Sequence, residues 1–281
     1  MWKRKFSFSL FCYVIITLWV GVDIMPGYVS HTIMARDVYH HINNKLVDLD
    51  SMLTYSLGGD LSKFSKCRYN THHIDKDKFI YSMCDYIIKN NLVNDGYALS
   101  CLYGHICHMV MDDIMHPLVK KITKLCVLNK RNHFFVEEYF DKYLVRYKYK
   151  LDIDKYDNCE IFKGNFGNVI SKMIDSVYMS VYGVKHLSFY YKFNIFLYKK
   201  IRYLYMIFGV KLLNKFSKFN KFLDLNLKVD FLNANKLIFY NNWLGIKCND
   251  DFNTLYVDSV INACLYIDRV NKYIEENSKY Y

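Results

Sequence analysis

The sequence predicts an all-α fold, and three observations predict it. Only two prolines and 11 glycines interrupt 281 residues, and so few breakers point to long helices. Apolar residues recur at three- and four-residue spacing through most of the chain. No segment alternates apolar and polar residues as a half-buried strand would, and no segment repeats another. The expected architecture is a helical bundle around a buried site, with a further helical C-terminal half.

Length and composition bound the rest. A chain of 281 residues and 33.7 kDa forms one large domain or two small ones with a sizeable core. Hydrophobic residues at 52% and charged residues at 23% exclude intrinsic disorder, and the scarcity of Pro and Gly excludes collagen-like and linker architectures. Aromatics at 18% accompany abundant Lys and Asn, a pattern of AT-rich coding as much as of function. The formal net charge of +11 favours anionic partners: nucleic acid, an anionic membrane surface or phosphorylated substrates. The nine cysteines are odd in number and form no Cys-x-x-Cys pair, which argues against a disulfide framework and for a reducing compartment.

Residues 1–24 stand apart. Lys3, Arg4 and Lys5 precede an uncharged run from Phe6 to Val22, like a signal peptide or a short membrane anchor. No small-x-small cleavage site follows, and Met25-Pro26-Gly27 also reads as a fresh start. The cysteines weigh against secretion, so the expectation is a cytoplasmic or membrane-associated protein that begins functionally near Met25.

The helices follow in order through residues 25–150. In the segment 31–46, Ile33, Met34, Val38 and Ile42 share a stripe, and in 77–92 Phe79, Met83, Tyr86 and Ile87 do the same. From about Tyr97 to Ile122 the chain is apolar nearly all round, as a buried central helix would be. Pro117 marks either a kink in that helix or the start of a new segment. Residues 148–167 are polar and irregular, a joint ahead of the helical C-terminal region 151–281, where periodicity resumes after Asn168.

Histidine is the informative residue type. Nine of ten histidines fall between His31 and His133, whereas Tyr and Lys spread along the whole chain. His108, Asp112 and His116 are spaced i, i+4, i+8, so on a helix each step rises about 6 Å and all three share one stripe. Their neighbours Met109, Met111, Ile114 and Met115 are apolar, and ionisable groups there are costly to bury unless paired; a metal ion solves that problem. A lone histidine reads well as a hydrogen-bonded core residue, but a stripe of three ionisable groups does not. His133 and Glu137 form a second i, i+4 pair, weak alone and of value because it follows the first. Upstream stand His72 or His73, Asp60 on a glycine turn, and His31 just ahead of a helix. His40 and His41 lie among polar neighbours and read as ordinary surface residues.

Over about Met25 to Asp141 this order resembles the zinc-dependent phospholipases C, which are related to fungal single-strand nucleases. The matching residues, in order, are His31; Gly59-Asp60; Thr71-His72 followed by Asp75 and Asp77; Gly104, His108 and Asp112; His116-Pro117; and His133 with Glu137. The resemblance implies a cluster of up to three Zn2+ ions. Asp60, His72, His108 and Asp112 would hold one, and His116, His133 and Glu137 a second. His31 would help to hold a third, with Asp112 shared. Asp60 would also orient or accept the proton of the attacking water. Two departures stand out: no processed amino-terminal Trp is evident, and the interval from Asp112 to His116 is tighter than in the secreted members.

The expected function is therefore phospholipase C-type hydrolysis of phospholipid head groups by metal-activated water. The alternatives are a single-strand nuclease with the same cluster and a non-catalytic, membrane-associated helical protein with a structural ion. Between Lys185 and Asp230 nine lysines and one arginine face only Asp224 and Asp230. In that stretch Phe216, Phe219 and Phe222 interleave with Lys215, Lys218 and Lys221. The pattern suits a membrane surface, a single-stranded nucleic acid, or a core helix with a lysine-rich solvent face.

Overall fold

A computed structural model of the chain describes residues 27–62, 75–125, 132–151, 156, 162–197, 199 and 252–279. The apolar leader, His72, His73 and the Phe216–Phe222 pattern lie outside the described residues. Every regular element among the described residues is helical, as the sequence predicts. The elements are α1 (Tyr28–Ile42), α2 (Leu49–Tyr55), a 3-10 turn (Gly58–Ser62), α3 (Lys76–Lys89), α4 (Gly96–Leu125), α5 (Asn132–Tyr149), α6 (Asn168–Tyr182), α7 (187–197) and α8 (Phe252–Ser278).

Local chemistry explains where these helices begin. Asp48 caps α2 by accepting from the Ser51 amide at 2.8 Å, and Asp75 caps α3 through the Lys78 amide at 3.2 Å. The Asp95 carboxylate accepts from the Tyr97 and Ala98 amides, both at 2.9 Å, and so opens α4. The start of α7 is capped from another helix, because Asp175 on α6 accepts from both the amide and the hydroxyl of Ser188 at 2.8 Å. Gly183 ends α6 in the left-handed conformation at φ 70°.

Two compact units emerge. The first joins the described residues up to Ser30 to the described residues among 119–156, which include α5. There Asp141 is buried and accepts from the Gly27 amide (3.0 Å), the Ser30 amide (2.8 Å) and the Ser30 hydroxyl, capping the start of α1. Burial outweighs those three donors and pushes its carboxyl up to about 6. Val136, Phe140, Leu144 and Val145 form the buried face of α5.

The second unit takes in the described residues among 31–118 and from 162 onward. Its centre is α4, on which every residue from Ala98 to Met109 is buried. The helix continues without a break through Pro117 to Leu125, so the proline neither ends it nor starts another. Gly104 lets α2 approach closely, since a Cβ there would fall 2.7 Å from the Met52 carbonyl oxygen. Ile33, Met34 and Val38 of α1 and Phe79, Met83 and Ile87 of α3 are buried as expected, whereas Tyr86 is half-exposed and Ile80, Cys84 and Ile88 join the core instead.

Helix α3 packs against both α6 and α8. Tyrosines of α8 donate to carboxylates on the helices beside it: Tyr256 to Asp37 at 2.7 Å, Tyr273 to Asp85 at 2.8 Å, and Tyr266 to Asp77. Cys84, Cys101, Cys107 and Cys264 are free thiols, in keeping with the sequence reading. Burial raises all four, Cys84 to about 12, so none is a ready thiolate.

Candidate metal centre

Three elements meet at one point. Helix α1 brings His31, the 3-10 turn brings Asp60, and α4 brings His108. One ligand atom from each of these residues lies within 4.8 Å of the other two. His31 and His108 are buried at 7% and 3% exposure, and their rings stand 4.6 Å apart. Two imidazoles and a carboxylate that converge in this way could hold a metal ion.

Asp112, one turn beyond His108 on α4, ties the group together. Its Oδ1 lies 3.3 Å from His31 Nε2 and 3.5 Å from His116 Nε2, and its Oδ2 lies 3.4 Å from His108 Nε2. The i, i+4, i+8 stripe is thus realised with the carboxylate in the middle. These separations are long for direct hydrogen bonds but suit groups arranged about a shared cation.

The tautomer of His108 follows from its surroundings. Its Nδ1 sits 3.2 Å from the Ser56 carbonyl oxygen, which only accepts, so Nδ1–H donates. The neutral ring then turns the lone pair of Nε2 toward the Asp112 carboxylate, an arrangement that needs a proton or a cation between them. A backbone carbonyl that fixes the far nitrogen of a histidine is the usual outer support of a metal ligand.

The 3-10 turn is shaped for the site. Gly58 has φ 46°, and a Cβ there would fall 2.2 Å from His108 Cδ2, so only glycine fits under the ring. Within the turn the Asp60 amide donates to the Leu57 carbonyl at 3.0 Å and the Ser62 hydroxyl to the Gly59 carbonyl at 2.5 Å. From α7, the buried Asn194 donates its Nδ2–H to the Leu61 carbonyl. Ser56, Gly58 and Asn194 are the supporting residues that the sequence did not single out.

The remaining expected ligands divide. Asp112 and His116 join the group; His116 is the more open, with 28% of its side chain exposed. His133 and Glu137 both lie on α5, where Glu137 is half-buried. The resemblance assigns His31 to a different ion from Asp60 and His108, whereas the structure brings these three together. His40 and His41 are exposed, as their polar neighbours suggested.

His105 is wholly buried beside Tyr55, Phe79, Tyr178 and Tyr191. Its Nδ1 bonds the Cys101 carbonyl at 2.8 Å, and burial lowers its pKa to about 4, so the ring is neutral. It belongs to the core rather than to the metal site. No protein-family model, curated protein or solved structure matches the chain.

Proposed function

We propose that the chain is a zinc-dependent phosphodiester hydrolase that cleaves phospholipid head groups in a phospholipase C-type reaction. The observation that carries this reading is the convergence of His31, Asp60 and His108 on one point, with Asp112 within 3.3–3.5 Å of His31, His108 and His116. A set of two histidines and one carboxylate leaves a coordination position open, which is the pattern of catalytic rather than closed structural zinc sites. Zinc held there would polarise the phosphoryl oxygen and lower the pKa of water to about 7.

The chain's own residues supply the rest. His31 and His108 would hold the ion from opposite elements, and the Ser56 carbonyl keeps His108 in the tautomer that offers Nε2. Asp112 would be the carboxylate shared between ions, with His116 reaching outward from it. Asp60 would orient the attacking water and take its proton. His72, His133 and Glu137 complete the set that the family resemblance implies. No described helix is long and apolar enough to cross a membrane.

Elemental analysis of the purified chain, paired with assays on phosphatidylcholine and on single-stranded DNA, tests this reading. Two or more zinc ions per chain and release of the phosphorylated head group support it. DNA cleavage without lipid cleavage transfers the chemistry to the nuclease reading, and a single ion without turnover leaves a structural metal.

A further inference from the structure

We infer that α7 is a positioning strut for the metal centre, in which Tyr191 and Asn194 fix the turn bearing Asp60 against the helix bearing His108. The inference rests on the metal-centre reading and adds to it a coupling between metal binding and the docking of α7. Tyr191 and Asn194 are exposed by 0% and 1%, and at i, i+3 they share one face of α7. From that face Asn194 donates its Nδ2–H to the carbonyl of Leu61, the residue after Asp60. The Tyr191 hydroxyl lies 3.4 Å from Nε2 of His105, three residues before His108 on α4.

The direction of the second contact follows from its neighbours. His105 Nδ1 faces the Cys101 carbonyl at 2.8 Å, so Nδ1–H donates and Nε2 accepts. The Tyr191 hydroxyl therefore donates to His105, and Tyr178 in turn donates to Tyr191 at 2.7 Å. A slide of α7 by one turn would carry both side chains about 5.4 Å from these partners, so the two bonds select a single register. Asp175 holds the same register from α6 through Ser188.

Core packing alone does not account for these residue types. A leucine at 194 would fill similar space without the buried, unsatisfied oxygen that Asn194 carries at Oδ1. Buried polar contacts fix one arrangement where apolar packing tolerates several. Zinc makes the same demand on the turn and α4, since its nitrogen and oxygen ligands must come within about 2.0–2.2 Å of it. Metal binding and the docked α7 therefore favour each other, by the same factor in both directions.

Amide hydrogen exchange of the full chain with and without zinc provides the test, and it requires neither turnover nor a variant. Zinc is expected to slow the amides of residues 191–197 about tenfold more than those of α8, which carries no expected ligand. Tyr191→Phe keeps the ring and removes the donor to His105. It should weaken zinc binding by about fivefold. It should also alter the visible spectrum of Co2+ bound in place of zinc, which reports coordination geometry and is not moved by a loss of stability alone. Zinc that binds yet slows α7 and α8 equally overturns the inference and leaves the metal-centre reading standing. So does a Tyr191→Phe protein with wild-type zinc affinity and cobalt spectrum. A wild type that binds neither zinc nor cobalt overturns the inference together with the metal-centre reading.

Discussion

The backbone of Gly58 lies directly against the imidazole of His108: a methyl group on Gly58 would sit 2.2 Å from Cδ2 and 2.3 Å from Cγ. The glycine also adopts φ 46°, a left-handed conformation that other residues enter at a cost. The turn that carries Asp60 and the helix that carries His108 therefore meet only because this position has no side chain.

Gly58→Ala should consequently displace His108 and weaken zinc binding by about 10- to 100-fold, the range typical of lost outer support at metal sites. Gly183→Ala is the control. Gly183 is also left-handed, at φ 70°, but nothing lies within 4 Å of a Cβ built there. It should cost about 1 kcal/mol of stability and leave the metal alone. Competition with a chromophoric chelator separates the two; equal zinc affinity in both variants would remove Gly58 from the site.

Asp112→Asn preserves shape and removes charge where three histidines converge. Because Asp112 approaches His31, His108 and His116 at 3.3, 3.4 and 3.5 Å, the change should release more than one equivalent of zinc and abolish turnover. Its neighbour Asp113 is exposed and pairs with Lys76 at the surface. Asp113→Asn should cost less than about 1 kcal/mol and retain full metal content. An Asp112→Asn protein with wild-type zinc and activity would refute the shared-carboxylate assignment.

The part of this site that follows helical geometry was legible before the structure. His108, Asp112 and His116 meet because i, i+4 spacing fixes them on one stripe whatever else the chain does. The all-α fold was legible for the same reason, since periodicity and scarce breakers are local properties. The grouping of His31 with Asp60 was less so, because it depends on how α1 crosses α4. The Ser56 carbonyl that orients His108 left no trace in the sequence, as every residue has a carbonyl and only the fold aims it. Asn194 was invisible for a further reason: 133 residues separate it from Leu61. Of the two readings that the sequence offered for Pro117, the start of a new segment is excluded, because the helix runs through it from Gly96 to Leu125.

His105 gives the fold a pH dependence of known direction. Its folded pKa is lowered from 6.5 to about 4 by burial. Its contribution is therefore complete above pH 6.5 and drains away as pH falls toward 4, by up to about 3 kcal/mol. Asp141 opposes it: raised to about 6, it takes up a proton in the fold before the unfolded chain does and favours folding as pH falls through the same range. The wild-type profile is the sum of the two, so the informative quantity is a difference. His105→Phe, packed among Tyr55, Phe79, Tyr178 and Tyr191, should gain stability relative to the wild type between pH 7 and pH 4 in urea unfolding. A constant gap across that range would mean that His105 does not titrate differently on unfolding.

Asn194 supplies the last test, because it joins the C-terminal half of the chain to the turn that bears Asp60. It is 1% exposed, and its Nδ2–H donates to the carbonyl of Leu61, the residue after Asp60. Its Oδ1 is buried and makes no hydrogen bond. Asn194→Leu removes that unsatisfied oxygen and at the same time deprives the Leu61 carbonyl of its donor; each effect is worth about 1–3 kcal/mol with opposite sign. Net stability should therefore change little, within about 1 kcal/mol, while the turn loses its only described tie to α7. Zinc affinity should fall by roughly tenfold, toward the lower end for outer-support residues. Asn194→Asp keeps the size, replaces the donor by a buried acceptor facing another acceptor, and should lose both stability and zinc. Melting temperature and zinc competition on the same samples distinguish the cases. Wild-type affinity in Asn194→Leu would show that the turn is held by its own bonds, Asp60 to Leu57 and Ser62 to Gly59, and that α7 contributes nothing to the metal centre.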